Sequence, residues 1–482
     1  MNLKMVLNTI GIVLIFISLF MILPVVVSLV YDQTDTIPLM ISCLVTFISG
    51  IILFFLTGHQ QREEIRHRDA FLVVTLGWIS IAFFGAIPYL LTGTFDSFSN
   101  AYFESMAGFT TTGSSVLNDI ESASYGMLFW RSLTQWLGGM GIILFALAIL
   151  PLLGTGGMQL FKAEVPEISV DKLRPRIIDT AKALWFIYFG LTCLAAAFFL
   201  VGGMDFFNAI CHAFTTMATG GFSTKNASMA SFQSPFIEYT ASVFMLLAGI
   251  NYSLYFHVFR GKTSRLWKST EFKFYMTIVA STTILVTFGL WKTSYDSVGD
   301  SLRYAFFQVS SIMTTTGYST ANFEEWVPVT KMLLIISMFF GGMIGSTGGG
   351  IKQVRILLML KQGYREIYQL IHPHAVTTVK LDERNLNKEV LGSIWGFLFL
   401  FILVCMVATI GMTAIGNDMI TSATTVISAM SNVGPALGTA GPAENYAAIP
   451  LAGKWILIGC MLIGRLEIYT VLILLVPQFW KK

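Results

Sequence analysis

The chain has 482 residues, of which 55% are hydrophobic and 12% charged, with a mean hydropathy of +0.70 and a formal net charge of +3. A soluble chain carries about 25% charged residues, so water is excluded as its main solvent. The small net charge, without a basic–aromatic patch, excludes nucleic acid as a partner. With no HExxH motif, no paired intramembrane aspartates and no spaced Ser/His pair, an enzyme is not expected.

Apolar runs of roughly 20 residues, enough to cross a hydrocarbon core, recur along the whole length. The first, 6–30, is too long for a signal-peptide core and lacks a small-residue cleavage site, so it reads as a retained span. Others follow near 37–57, 70–92, 127–153, 183–203, 236–259, 274–291, 329–360, 389–413 and 453–478. Cys43, Cys193, Cys211, Cys405 and Cys460 are scattered through or beside these runs, and their spacing gives neither a metal pair nor a disulfide framework.

The connectors alternate in charge. One set carries Arg62, Arg66 and Arg68, then Lys162, Lys172, Arg174 and Arg176, then Arg260, Lys262, Arg265 and Lys268, then Lys361, Arg365, Lys380, Arg384 and Lys388, with Lys481 and Lys482 at the end. The other carries Asp96, Asp119, Glu121, Asp205, Asp300, Glu324, Glu325 and Glu444. The positive-inside rule places the first set, and both termini, in the cytoplasm.

Four polar segments interrupt the apolar pattern, all on the acidic side: "FTTTGSS" from Phe109, "TTMATGGFST" from Thr215, "SSIMTTTGYST" from Ser310 and "SAMSNVGPALGT" from Ser428. Aligned on Gly113, Gly220, Gly317 and Gly434, they recur at intervals of roughly 100 residues. Asp96, Asp205, Asp300 and Asp418 precede those glycines by similar distances and read as N-caps, each opening a helix of about three turns. Such a helix enters the membrane and stops part-way, and non-helical backbone at that depth must be buried in protein or line a water-filled path.

Four segments around one axis would present a ring of carbonyl oxygens, with the negative ends of four short helices aimed at it, which favours a cation. Glycine permits the φ > 0 values needed to turn successive carbonyls inward. Stacked neutral oxygens suit a monovalent cation and parallel the T-V-G-Y-G filters of potassium channels. A divalent site would instead show inward carboxylates. The expected fold is an all-α polytopic membrane protein: four pseudo-repeats of span, pore helix, filter loop and span around one central pore, plus two extra N-terminal spans. The units are 1–69 (the extra spans), 70–182, 183–273, 274–388 and 389–482.

With these motifs, and with "GGMIGSTGGGIK" from Gly341 and "GRLEIY" from Gly464, the chain resembles the Trk/Ktr/HKT superfamily of potassium transporters, most closely its bacterial TrkH branch. The resemblance spans essentially the whole length. It implies potassium uptake across the bacterial cytoplasmic (inner) membrane, one pore per chain, a homodimer, a cytosolic nucleotide-binding regulatory ring of the TrkA type, and no cofactor beyond the potassium that is carried. Carried over by position, the potassium-binding filter would be Thr111, Thr112 and Gly113; Ala218, Thr219 and Gly220; Thr315, Thr316 and Gly317; and Asn432, Val433 and Gly434. The fourth departs most, with no threonine and Pro435 directly after its glycine.

Two features remain. Gly348, Gly349 and Gly350 cost about 1 kcal/mol each in a helix relative to alanine, so the eighth run should break there. No phosphate-binding loop is intended, because Ile351 separates the last glycine from Lys352. Within 341–350, Gly345, Ser346, Thr347, Gly348, Gly349 and Gly350 read as a gate loop beneath the filter, the alternative being close helix packing through small residues. Arg465, inside the last run, would bond the loop's carbonyls and oppose cation passage, or else form an interhelix pair; Glu467, two residues on, faces another side. A proton- or sodium-coupled symporter is the competing function, although inverted-repeat symporters are built from two inverted halves rather than four same-direction units.

Overall fold

The computed structural model describes residues 2–58, 67–141, 177–375, 377–382, 384–386 and 388–481. The second half of the run 127–153, most of the connector 154–182 (with Lys162, Lys172, Arg174 and Arg176), Arg62, Arg66 and Lys482 lie outside these residues.

Among the described residues, regular structure is helical apart from a small antiparallel hairpin pairing Lys380–Leu381 with Arg384–Asn385. Six helices among the described residues are long and apolar enough to cross a membrane: Leu3–Val30, Thr36–Thr57, Arg68–Leu91, Ala181–Val201, Thr270–Leu290 and Val390–Ala414. Phe55, Leu56, Phe186 and Phe288 stand exposed on their outer faces, where hydrocarbon rather than water is the favourable solvent. The chain is a multi-pass membrane protein.

The first two helices form a hairpin, held to the rest at both ends. At one end the buried Asp35 carboxylate accepts from the hydroxyls of Ser28 and Ser124. At the other, the Asn2 amide donates to Asp69 Oδ1 (2.9 Å), and Arg68 Nη1 donates to the Lys481 carbonyl (2.7 Å). Both termini therefore reach the same face.

The four short helices are Phe98–Phe109, Phe206–Met217, Val298–Met313 and Met419–Ser431, of 12, 12, 16 and 13 residues. Asp205 and Asp418 cap theirs, accepting from the amides of Asn208 (3.2 Å) and Thr421 (3.0 Å). The other two starts correct the expectation. Ser97 stands at the first start, and Ser297 caps the third through the Gly299 amide (3.2 Å), leaving Asp300 in the first turn beside Arg303. Serine and aspartate are near-equivalent as caps, so Ser297 takes the role at the third start, whereas Ser97 makes no side-chain cap bond at the first.

The helices after the second, third and fourth polar segments are not the long spans expected, and the one after the first leaves the described residues at a π-turn. Tyr125–Trp136 passes into a π-turn at Leu137–Gly141, and Pro235–Ala248 bends by 95° into Tyr252–Phe259. Pro328–Met338 stops at the glycine loop before Gln353–Ile371, and Leu451–Arg465 bends by 112° into Tyr469–Leu475. The runs 236–259, 329–360 and 453–478 are thus each divided. The breaks are tolerated because they are buried in protein and meet the C-terminal ends of the short helices, whose last carbonyls lack intrahelical donors.

Candidate functional site

Each short helix ends in the same way. The residue after its cap takes a left-handed conformation without being glycine: Thr111 (φ 52°), Thr219 (52°), Thr315 (60°) and, at the cap itself, Asn432 (54°). Its amide bonds back three residues, and the next amide bonds back five: Thr112 to Ala107 (2.9 Å), Gly220 to Thr215 (2.8 Å), Thr316 to Ser311 (2.8 Å) and Val433 to Ser428 (2.9 Å). This is the Schellman closure, in which glycine is usual at the left-handed position. Four strained residues in register mark a site that the surrounding structure holds in place.

A second left-handed residue follows two positions later: Gly113 (80°), Gly221 (78°), Gly317 (86°) and Gly434 (106°). The second segment is therefore shifted by one from the sequence alignment. Thr219, Gly220 and Gly221 correspond to Thr111, Thr112 and Gly113, while Ala218 is the helix cap. The shift arises because "TGG" offers two glycines, and only the second needs the φ that side chains resist.

These glycines close a ring. A Cβ on Gly113 would fall 2.1 Å from the Gly220 carbonyl oxygen, one on Gly221 1.9 Å from that of Thr316, one on Gly317 2.0 Å from that of Val433, and one on Gly434 2.7 Å from that of Thr112. The four segments thus meet in chain order, each against the next and the last against the first. The four helices end here too, and their aligned dipoles place partial negative charge at the ring.

The scaffold behind the ring contains residues that sequence reasoning missed. Glu104 and Arg131 form a fully buried ion pair (2.8 Å). Glu104 also accepts from the Ser115 hydroxyl (2.8 Å) and the Val116 amide (2.9 Å), and Arg131 Nη1 donates to the Ser223 carbonyl (3.0 Å). The guanidinium lies over the Phe222 ring, 4.2 Å from its centre. Tyr318 donates to the His212 carbonyl (3.2 Å), and Asn432 Nδ2 donates to Thr112 Oγ1 (2.9 Å), joining the fourth segment to the first. Two opposite charges in otherwise apolar stretches, Glu104 and Arg131, were the available sequence signal.

On one side the ring opens into a cavity of about 180 Å³ lined by Ser115, Asn118, Asn226, Glu444 and Tyr446 among others. Beside it, donation from Asn226 Nδ2 holds the exposed Asp119 carboxyl below its ordinary value.

On the other side lies the glycine loop, non-helical as expected. Gly349 donates its amide to Thr315 Oγ1 (2.7 Å), and Thr347 Oγ1 donates to the carbonyls of Met217 (3.1 Å) and Ala248 (3.3 Å). The Gly345 carbonyl accepts from the Tyr252 amide (3.1 Å), Ser346 Oγ donates to the Met343 carbonyl (2.6 Å), and the Gly348 carbonyl accepts from Lys352. Gly350, with φ 67°, turns the chain toward the next helix. The loop is seated against the inner ends of the second and third short helices and, at Gly349, against the fourth, where a Cβ would fall 2.4 Å from the Ser431 carbonyl oxygen.

Arg465 is the last residue of its helix, at the 112° break, rather than inside a continuous span. It donates to the carbonyls of Thr347 (2.8 Å), Gly138 (2.5 Å) and Gly139 (2.8 Å). Glu467, past the helix end with φ 57°, pairs with Arg355 instead.

The family model TrkH, "Cation transport protein", matches residues 38–482. Over the full length of both chains, the sequence is 41% identical to the "Trk system potassium uptake protein TrkH" of Halomonas elongata. It is 39% identical, again over both full chains, to the protein of that name from Escherichia coli K12. The crystal structure of the potassium transporter TrkH from Vibrio parahaemolyticus superposes with a TM-score of 0.91 over all of both chains, at 38% identity.

Proposed function

The chain belongs to the TrkH family of cation transport proteins, and we propose that it takes up potassium through a gated, channel-like pore whose filter is the four-segment ring. The observation that carries this reading is the closed chain-order ring of glycines against carbonyls, built on four strained helix ends. Its ligands are neutral oxygens, which suit a monovalent cation that sheds its hydration shell on entry.

The filter residues are Thr111, Thr112 and Gly113; Thr219, Gly220 and Gly221; Thr315, Thr316 and Gly317; and Asn432, Val433 and Gly434. The cavity lined by Asn118 and Glu444 is the outer mouth, and the face that gathers both termini is cytoplasmic in a bacterial inner membrane. Gly345 to Gly350 form the gate, and Arg465 holds it closed. A homodimer and a cytosolic nucleotide-binding ring docked on the basic connectors complete the assembly.

The test is flux in proteoliposomes. Potassium and rubidium should enter down their gradients without a proton or sodium gradient. Strict dependence on either gradient would replace the channel-like reading with a coupled symporter.

A further inference from the structure

At the position where the other segments carry Thr112, Thr316 and Val433, the second carries Gly220, which has no side chain to brace it. Thr112 and Thr316 are braced by their hydroxyls against Thr110 and Thr314, both at 2.8 Å. At Gly220 the space is filled from another unit. Gln135, fully buried near the end of Tyr125–Trp136, puts its amide group where the missing side chain would lie: a Cβ on Gly220 would fall 2.4 Å from Gln135 Cδ and Oε1.

The amide is satisfied at both ends by the segment. Gln135 Nε2 donates to the Gly220 carbonyl (2.6 Å), and Gln135 Oε1 accepts from the Phe222 amide (3.0 Å). This carbonyl is the ring oxygen that stands against Gly113. A glycine there has more backbone freedom than threonine or valine, so without a clamp this wall would be the loosest of the four. The clamp spans the left-handed Gly221, so it fixes the peptide planes on both sides of it.

We propose that Gln135 is a positioning residue for selectivity: it supplies in trans the side chain that the second segment lacks and sets the direction of the Gly220 carbonyl. The inference rests on the ring being the filter. By donating to one ring oxygen and not to its three counterparts, Gln135 also makes that oxygen the weaker cation ligand, so the filter is asymmetric by construction.

The test compares potassium and sodium flux in proteoliposomes for Gln135→Leu, Gln135→Glu, Gly220→Thr, the double variant Gln135→Ala/Gly220→Thr, and Gly113→Ser as a control on the ring itself. Losing two buried hydrogen bonds should lower the potassium-over-sodium ratio of Gln135→Leu by about tenfold in protein that still assembles. Gln135→Glu keeps the size and the acceptor but turns the donor into an oxygen facing the Gly220 carbonyl, so it should lower the ratio at least as far. Gly220→Thr alone collides with Gln135 and should assemble poorly, whereas the double variant restores a braced wall and should recover both assembly and selectivity. A Gln135→Leu protein with the parental ratio, beside a Gly113→Ser protein with a lowered one, overturns the role of Gln135 and leaves the filter standing. Parental ratios in both overturn the filter reading and this inference with it.

Discussion

The Arg465 guanidinium donates to the Thr347 carbonyl at 2.8 Å, joining the broken last span to the glycine loop directly below the ring. With its bonds to Gly138 and Gly139, it ties the fourth unit, the third unit's loop and the first unit's π-turn at one point. Charge-assisted bonds of this kind contribute about 1.5–3 kcal/mol each. Three such bonds together set a cost of roughly 5–9 kcal/mol on releasing the loop.

Arg465→Ala, and separately deletion of 345–350, should raise resting potassium flux in the absence of any partner. Flux is read in proteoliposomes beside a folding check by size-exclusion chromatography. If both variants assemble and conduct no faster than the parent, the loop is packing and not a gate.

Serine at Gly113, Gly221 or Gly317 should each lower potassium preference, because each adds a Cβ within about 2 Å of a carbonyl oxygen at a φ that costs about 1–2 kcal/mol for other residues. Gly434, where the nearest oxygen is 2.7 Å away, should tolerate serine best. Potassium-to-sodium flux ratios of the four variants give the ranking. An undisturbed Gly221→Ser ratio would return the second segment to the alignment on Gly220.

Breaking the buried Glu104–Arg131 pair from one side leaves a charge unpaired in the protein interior, at a cost of about 3–5 kcal/mol. Glu104→Gln and Arg131→Met should each lower the melting temperature in detergent substantially. The double variant should lose less than the sum of the two, since neither charge is then stranded. Additive losses would mean that the two side chains act separately.

The basic connectors should bind a soluble nucleotide-binding ring. Reversing Lys262, Arg265 and Lys268 to glutamate should weaken co-purification, with the remaining affinity falling as salt rises. Failure of the parent to form a complex, with or without nucleotide, would leave these charges as topology signals only.

Hydropathy and charge were sufficient to identify a membrane protein, to number its apolar runs and to set four polar segments in one repeat, because those properties depend on which solvent each stretch prefers. The non-helical glycine loop was legible for the same local reason: a run of glycines weakens a helix wherever it stands. The rest depended on which buried groups face one another once four units close around an axis. "TGG" could be aligned on either glycine until the Thr316 carbonyl stood against Gly221. Asn432 meets Thr112 across 320 residues of chain, and Arg465 meets Gly138 across 327. Nothing in local periodicity encodes such pairs. The divided spans follow from the same closure: short helices that stop part-way leave unpaired carbonyls, and only the packed structure determines which neighbouring backbone must break to meet them.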